Sequence, residues 1–261
     1  MLFKEIAMSR VLMTVAYDGT AFQGWQIQAR ARTVQLEIET ALAKICGGDS
    51  VRIHGSGRTD SGVHARGQRF HFDSPRTGFT PETWQRALNG NLPFDVRILD
   101  ACGVDDDFHA RFDVCAKEYR YFLRTHRIML PELRHVRVLE PRPLDLERMR
   151  AAAALLVGTH NFTAFSAERG DGSAVDPVRT LTTLEVTTLP EDTLMIRAVA
   201  PGFLYKMVRQ ITGALLRVGR GELSLSRIED LLSSPIRTGD TPTAPAHGLF
   251  LWRVRYPKEC P

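Results

Sequence analysis

Short runs of β-forming residues alternate with stretches of helical spacing along the whole chain, and that alternation most restricts its fold. Residues 11–17 are rich in β-formers and stop at the turn signal Asp18-Gly19. Thr33 is placed to cap a helix in which Val34, Ile38, Ala41, Leu42 and Ile45 recur at helical spacing, and Gly47-Gly48 end it. Residues 51–54 read as a short strand, 55–67 as a glycine-punctuated loop, 68–73 as a strand, 81–88 as a helix and 96–104 as extended chain. The second part repeats the mixture. Strands are predicted at 118–124, 179–188, 193–200 and 249–256, and helices at 146–156 (capped by Asp145), 204–218 and 226–232. Such an order implies an α+β fold of two halves with mainly antiparallel mixed sheets flanked by helices. The acidic turn at Asp105–Asp107 divides an N-terminal half, 1–106, from a C-terminal half, 107–261.

The 261 residues correspond to about 1.7 average domains. Lys and Arg exceed Asp and Glu by 34 − 30 = 4, an excess that permits a polyanionic partner without demanding one. The longest apolar run, 151–157, is far below the ~18 residues of a membrane span. Lys4, Glu5 and Arg10 interrupt the N-terminus, so no secretory signal is expected, and Met8 stands as an alternative start. Cys46, Cys102, Cys115 and Cys260 form no CxxC pair, which suits reduced thiols in a cytoplasmic protein and argues against structural zinc. Neither a P-loop, a dinucleotide fingerprint nor HExxH is present. No cofactor or metal is expected.

Three segments carry chemistry. In Gly55-Ser-Gly-Arg-Thr-Asp-Ser-Gly-Val-His-Ala65, glycines allow sharp turns and present Arg58, Asp60 and His64 between two strands. On composition alone this is a long turn with Asp60 capping its own backbone. In Lys117-Glu-Tyr-Arg-Tyr121, period-2 alternation puts both tyrosines on one face. They are ordinary half-buried core tyrosines, or rings placed under a base. In the helix after Phe203, Arg209 lies off the apolar face, which by itself describes a solvated basic face.

Taken together, these segments resemble the TruA family of tRNA pseudouridine synthases. Eight blocks match in order: Tyr17-Asp-Gly-Thr-Ala-Phe-Gln-Gly-Trp-Gln26, Gly57-Arg-Thr-Asp-Ser-Gly-Val-His-Ala65 with Gly67-Gln68, Asn91-Leu-Pro93, Asp107-Phe-His-Ala-Arg-Phe112, Tyr119-Arg-Tyr121, Asn161-Phe-Thr163, Met207-Val-Arg209 and Gly248-Leu249. They span roughly residues 8–256, and residues 1–7 match nothing. Ser61 stands where Ala is usual, and Lys206 where many members carry His.

The resemblance implies the pseudouridine synthase fold around a central cleft, and a role for each matching position. Asp60 corresponds to the nucleophile. Tyr119 corresponds to the tyrosine that packs on the target base and serves proton transfer at C5. Arg209 pairs with the catalytic carboxylate, Arg58 holds the flipped-out nucleotide and Leu249 lines the pocket. His64, Arg66 and Arg111 are further expected substrate contacts. The implied reaction turns uridine into pseudouridine at positions 38, 39 and 40 of the tRNA anticodon stem-loop, in a cytoplasmic homodimer with no membrane association. Arg30, Arg32, Arg69, Lys117 and Arg120 are expected along the tRNA backbone, since phosphate binding needs cations.

The chemistry suits one carboxylate. The N1–C1′ bond must break, the base turn, and C5 join C1′. An ionised carboxylate can attack or stabilise the electron-poor sugar carbon, but water must be kept out because the detached base has to return. Attack at C1′, attack at C6 and deprotonation at C2′ all remain open. A stacked base must first be extruded. Two other classes stand beside this one. A non-catalytic tRNA-binding protein leaves Asp60 unexplained, and a nucleoside hydrolase would release free uracil.

Overall fold

The computed structural model describes residues 10–168 and 175–257; Met8 and Cys260 lie outside the described residues. In chain order the elements are β1 (Arg10–Tyr17), α1 (Val34–Ile45), β2 (His54–Gly55), β3 (His64–Asp73), α2 (Pro81–Asn91), β4 (Val96–Val104), β5 (Ala116–Arg124) and β6 (Val138–Leu139). There follow α3 (Leu146–Leu156), β7 (Gly158–Asn161), β8 (Val178–Leu181), β9 (Thr183–Leu189), β10 (Thr193–Ala200), α4 (Met207–Gly219), α5 (Leu225–Ser233) and β11 (Leu249–Arg255). The architecture is mixed α+β with mostly antiparallel strands.

Two compact units result. The first runs to Cys115 and takes up the chain again from Leu251; the second is Ala116–Phe250. The sequence division at 106/107 falls earlier than this boundary. Residues 108–112 attach to the first unit, where Arg10 Nη1 donates to the Phe108 carbonyl and the Ala110 amide donates to His71 Nδ1.

In the first unit β4, β1 and β3 pair antiparallel, with the residues of β11 from Leu251 on beyond β3. Strand β1 buries Val11, Leu12, Met13, Val15 and Tyr17. Helix α1 lays Val34, Ile38, Ala41 and Leu42 into the same core, as their spacing predicts. Thr80 caps α2 through the Thr83 amide, Pro81 occupies the first turn, and Trp84 and Leu88 are buried. The strand expected at 51–54 shrinks to β2. Val51 and Ile53 are buried, but the Ile53 amide donates to Glu39 Oε1 at 3.1 Å, not to a strand neighbour.

In the second unit β5, β10 and β9 pair antiparallel, and β6 runs parallel to β5. Asp145 caps α3 through the Arg148 amide. The strand expected at 179–188 breaks at Thr182, whose amide and hydroxyl both donate to the Val199 carbonyl. Ahead of the break β8 pairs with β7, and after it β9 pairs with β10. The helix expected from residue 204 starts at Met207, because Lys206 sits in the left-handed region at φ 58°. Among the described residues no helix is long and apolar enough to cross a membrane. Among the described residues Cys46 and Cys102 are free thiols.

Candidate active site

The loop from β2 to β3 is held by hydrogen bonds at nearly every step, although it has little regular structure. The Ser56 amide donates to the Arg69 carbonyl at 2.7 Å, and the Ser56 hydroxyl donates to Gln68 Oε1 at 2.6 Å. Gln68 Nε2 returns a bond to the Gly57 carbonyl at 2.8 Å. Ser56 and Gln68 are wholly buried, so this closed pair satisfies polar groups that water cannot reach.

Thr59, immediately before Asp60, is gripped on both sides. Its side-chain oxygen lies 2.8 Å from the Tyr17 hydroxyl, and its carbonyl accepts from the Trp25 amide at 3.1 Å. Gly24 backs onto the same carbonyl with φ +90°, and a Cβ there would sit 2.6 Å from the oxygen. No L side chain combines that dihedral with that approach. Asp60 itself is half-buried, and its carbonyl closes a turn with the Val63 amide. Ser61 Oγ donates to the Phe22 carbonyl at 3.3 Å and the Gly62 amide to the same oxygen at 3.2 Å. Residues 17–26 therefore form the frame that holds residues 59–63. For Tyr17, Thr59 and Gln68 the signal in the sequence is their place in the matching blocks; Ser56 lies just ahead of its block and carries no such signal.

The other site residues of the first unit divide by exposure. Arg58 and Arg30 are exposed. Arg66 lies over the Trp252 ring at 5.2 Å and Arg69 over Tyr256 at 5.4 Å. His64 is wholly buried, with Nδ1 accepting from the Gly19 amide at 3.0 Å. That placement makes it a brace for the frame, where the sequence suggested a substrate contact. Arg32 is occupied structurally. Its guanidinium takes both Asp95 oxygens, bonds Glu37 and covers the Phe22 ring at 4.2 Å. Arg111 is exposed, 5.6 Å from the Phe112 centroid.

The second unit carries Tyr119, Arg209 and Leu249. Tyr119 is half-buried on β5, edge-on to Phe203 at 5.1 Å. Its register partner on β10 is Ala198. On the alternate positions, buried Glu118 pairs with Arg120 and Arg197 at 2.7 and 3.2 Å. Burial pushes the Glu118 carboxyl up, but the two guanidiniums outweigh it and hold it below the usual range. Arg120, expected on the tRNA backbone, is thus engaged within the sheet, while Lys117 is half-buried on the same strand. Tyr121 is wholly buried with its hydroxyl on the Pro245 carbonyl at 2.9 Å. Burial pushes that hydroxyl well above 10, with nearby Arg209 pulling the other way. Arg209 donates through Nε to the Ala244 carbonyl at 2.8 Å, and the Ala244 amide returns a bond to the Arg209 carbonyl. Leu249 is buried at the head of β11. Among the described residues no group of three or more His, Cys, Asp or Glu is placed to hold a metal ion.

A family model described as tRNA pseudouridine synthase matches residues 13–113 and 152–257, the spans that contain this loop, Arg209 and Leu249. The chain belongs to that family. tRNA pseudouridine synthase A of Bacillus pumilus is 48% identical over 248 residues, covering 95% of this chain and 99% of the relative. The Anoxybacillus flavithermus protein of the same name is 46% identical, with 95% and 99% coverage. A solved Cbf5-Nop10-Gar1 complex shows a slight likeness, with TM-score 0.32 and 12% identity over 78% of this chain and 54% of that one. The chain is a tRNA pseudouridine synthase, an isomerase of the TruA type, and its α+β architecture is that of the pseudouridine synthase fold.

Proposed function

We propose that the enzyme isomerises uridine at positions 38, 39 and 40 of the tRNA anticodon stem-loop, with Asp60 as the nucleophile acting on an extruded base. The observation that supports the nucleophile assignment is the grip on Thr59 from Tyr17 and Trp25, which sets the half-buried carboxylate on an immobile support. A carboxylate so held needs no reorganisation when positive charge develops at the sugar. Asp60 assists cleavage of N1–C1′; the base turns; C5 bonds to C1′; the C5 proton leaves and N1 gains one, so product and substrate are isomers. Arg58, exposed on the same loop, holds the displaced nucleotide. Tyr119, Arg209 and Leu249 are assigned to the reaction by family resemblance: a ring against the base, a cation that keeps the carboxylate ionised, and an apolar wall. The enzyme works as a cytoplasmic homodimer.

The test is incubation with unmodified tRNA followed by nucleoside analysis and mapping of the modified positions. Pseudouridine at 38–40 without free uracil is expected. Free uracil would point to a hydrolase, and product elsewhere in the tRNA would overturn the anticodon assignment. Asp60→Asn should make no pseudouridine while still binding tRNA; turnover by that variant would falsify the nucleophile. Sedimentation of the pure protein checks the dimer, and cell fractionation checks the compartment.

A further inference from the structure

Phe112 is 72% exposed, while Phe22, Phe70 and Phe72 of the same unit are wholly buried. A single exposed ring needs no explanation of its own. This one is rigidly presented. The Phe112 and Asp113 amides both donate to the His109 carbonyl at 3.1 Å, and the His109 amide donates to Asp113 Oδ2 at 2.7 Å. The Arg111 amide donates to His109 Nδ1 and the Ala110 amide to His71 Nδ1, each at 3.1 Å. The Ala110 carbonyl accepts from the Tyr256 hydroxyl at 2.8 Å. A segment tied at so many points keeps its phenyl ring outside the core by construction.

The ring also joins a cluster of rings. Phe112 and His109 centroids are 4.3 Å apart and tilted at 33°, His109 and the exposed His54 5.5 Å apart and tilted at 60°, and His54 and His71 stacked 5.0 Å apart at 18°. Burial first, then nearby cationic groups, lowers the His71 pKa to about 4 and holds His109 below its usual value. The His71 and His109 rings are therefore uncharged at neutral pH. Arg111 lies at the Phe112 ring, and the acidic residues Asp106 and Asp107 act on Arg10. His54 is six residues ahead of Asp60, so at most about 20 Å of chain separates them.

We propose that Phe112, backed by His109 and His54, is a stacking platform for an unpaired base of the tRNA other than the one being isomerised, with Arg111 on the adjoining phosphate. RNA loops are recognised by splaying unstacked bases onto aromatic rings and guanidinium planes. Each such stack changes affinity by roughly 5- to 150-fold on alanine substitution. The inference rests on tRNA being the substrate.

The experiment compares wild type with Phe112→Ala, Phe112→Leu and Phe112→Trp, using unmodified tRNA for both binding and turnover. Ala and Leu should weaken Kd and raise KM by about tenfold at nearly unchanged kcat, and Trp should restore both, because stacking needs a π face. Tm should change little across the series, since most of the ring is in water in the folded chain as well. tRNA carrying 5-iodouridine should crosslink to the peptide containing Phe112. Unchanged Kd and KM in Phe112→Ala, full rescue by Leu, or loss of dimer in place of tRNA affinity would each overturn the platform. A wild-type protein that neither bound nor modified tRNA would instead remove the substrate reading on which the platform rests.

Discussion

At the scale of single residues, the placement of Asp60 depends on the neighbour that precedes it, Thr59. Thr59→Val keeps the side-chain shape and removes the Thr59 hydrogen bond to the buried Tyr17 hydroxyl, at a cost of about 1 kcal/mol. The variant should melt earlier and lose kcat with KM little changed, measured on unmodified tRNA; an unaltered kcat would count against the support role. His71 makes a second residue-scale prediction. Burial, then Arg10 and His109, lower its pKa to about 4 from the 6.5 of a free imidazole. The unfolded chain takes up that proton below 6.5, and the folded chain only near 4. Stability is therefore full above pH 6.5 and falls by about 3 kcal/mol between 6.5 and 4. His71→Gln keeps an acceptor for the Ala110 amide and should flatten most of that slope in urea melts. An equally steep slope would show that other groups carry it.

At the scale of elements, α4 is the helix on which Arg209 depends, and it is buried along most of its length. Gly213 lets it meet the segment that follows α5. A Cβ there would stand 1.8 Å from the Pro242 carbonyl oxygen, and Ala244, two residues on, holds the Arg209 guanidinium. Gly213→Ala must push backbone from backbone, at a typical overpacking cost of about 1–3 kcal/mol. Tm should fall by several degrees, and kcat should fall with it because the Arg209 anchor moves. Wild-type Tm in this variant would mean that the helix and the segment separate freely. Strand β5 makes a contrasting case. Alternation alone sorted Tyr119 and Tyr121 from Glu118 and Arg120, whereas the depth of each tyrosine was set by neighbours. Tyr121 meets Gly248 and Pro245, and Tyr119 meets the edge of Phe203.

At the scale of the whole molecule, a net charge of +4 gives no large attraction for RNA. Affinity must come from particular guanidiniums. Those bound up in internal pairs, such as Arg32 and Arg120, are poorly placed to give it, while Arg58 and Arg111 are exposed. Each phosphate contact contributes about 0.7–0.9 to the slope of log affinity against log salt, so with the exposed Arg30, Arg58 and Arg111 engaged tRNA binding should show a slope of about two to three. Titration from low to physiological salt measures it, and a flat response would leave no role for a phosphate-binding set of arginines.

By itself the sequence determined the α+β alternation, most helix starts and the loop that bears Asp60, because capping, periodicity and turn chemistry act between residues close in the chain. Family membership was legible for a related reason, since the matching blocks are contiguous words. What the tertiary structure decided are the long-range partners. Thr59 is held by a tyrosine 42 residues away. Glu39 takes the Ile53 amide and ends a predicted strand, Val199 breaks another at Thr182, and Gly19 turns His64 into a brace. Buried polar groups must find a partner somewhere, and only the folded chain settles which distant residue supplies it.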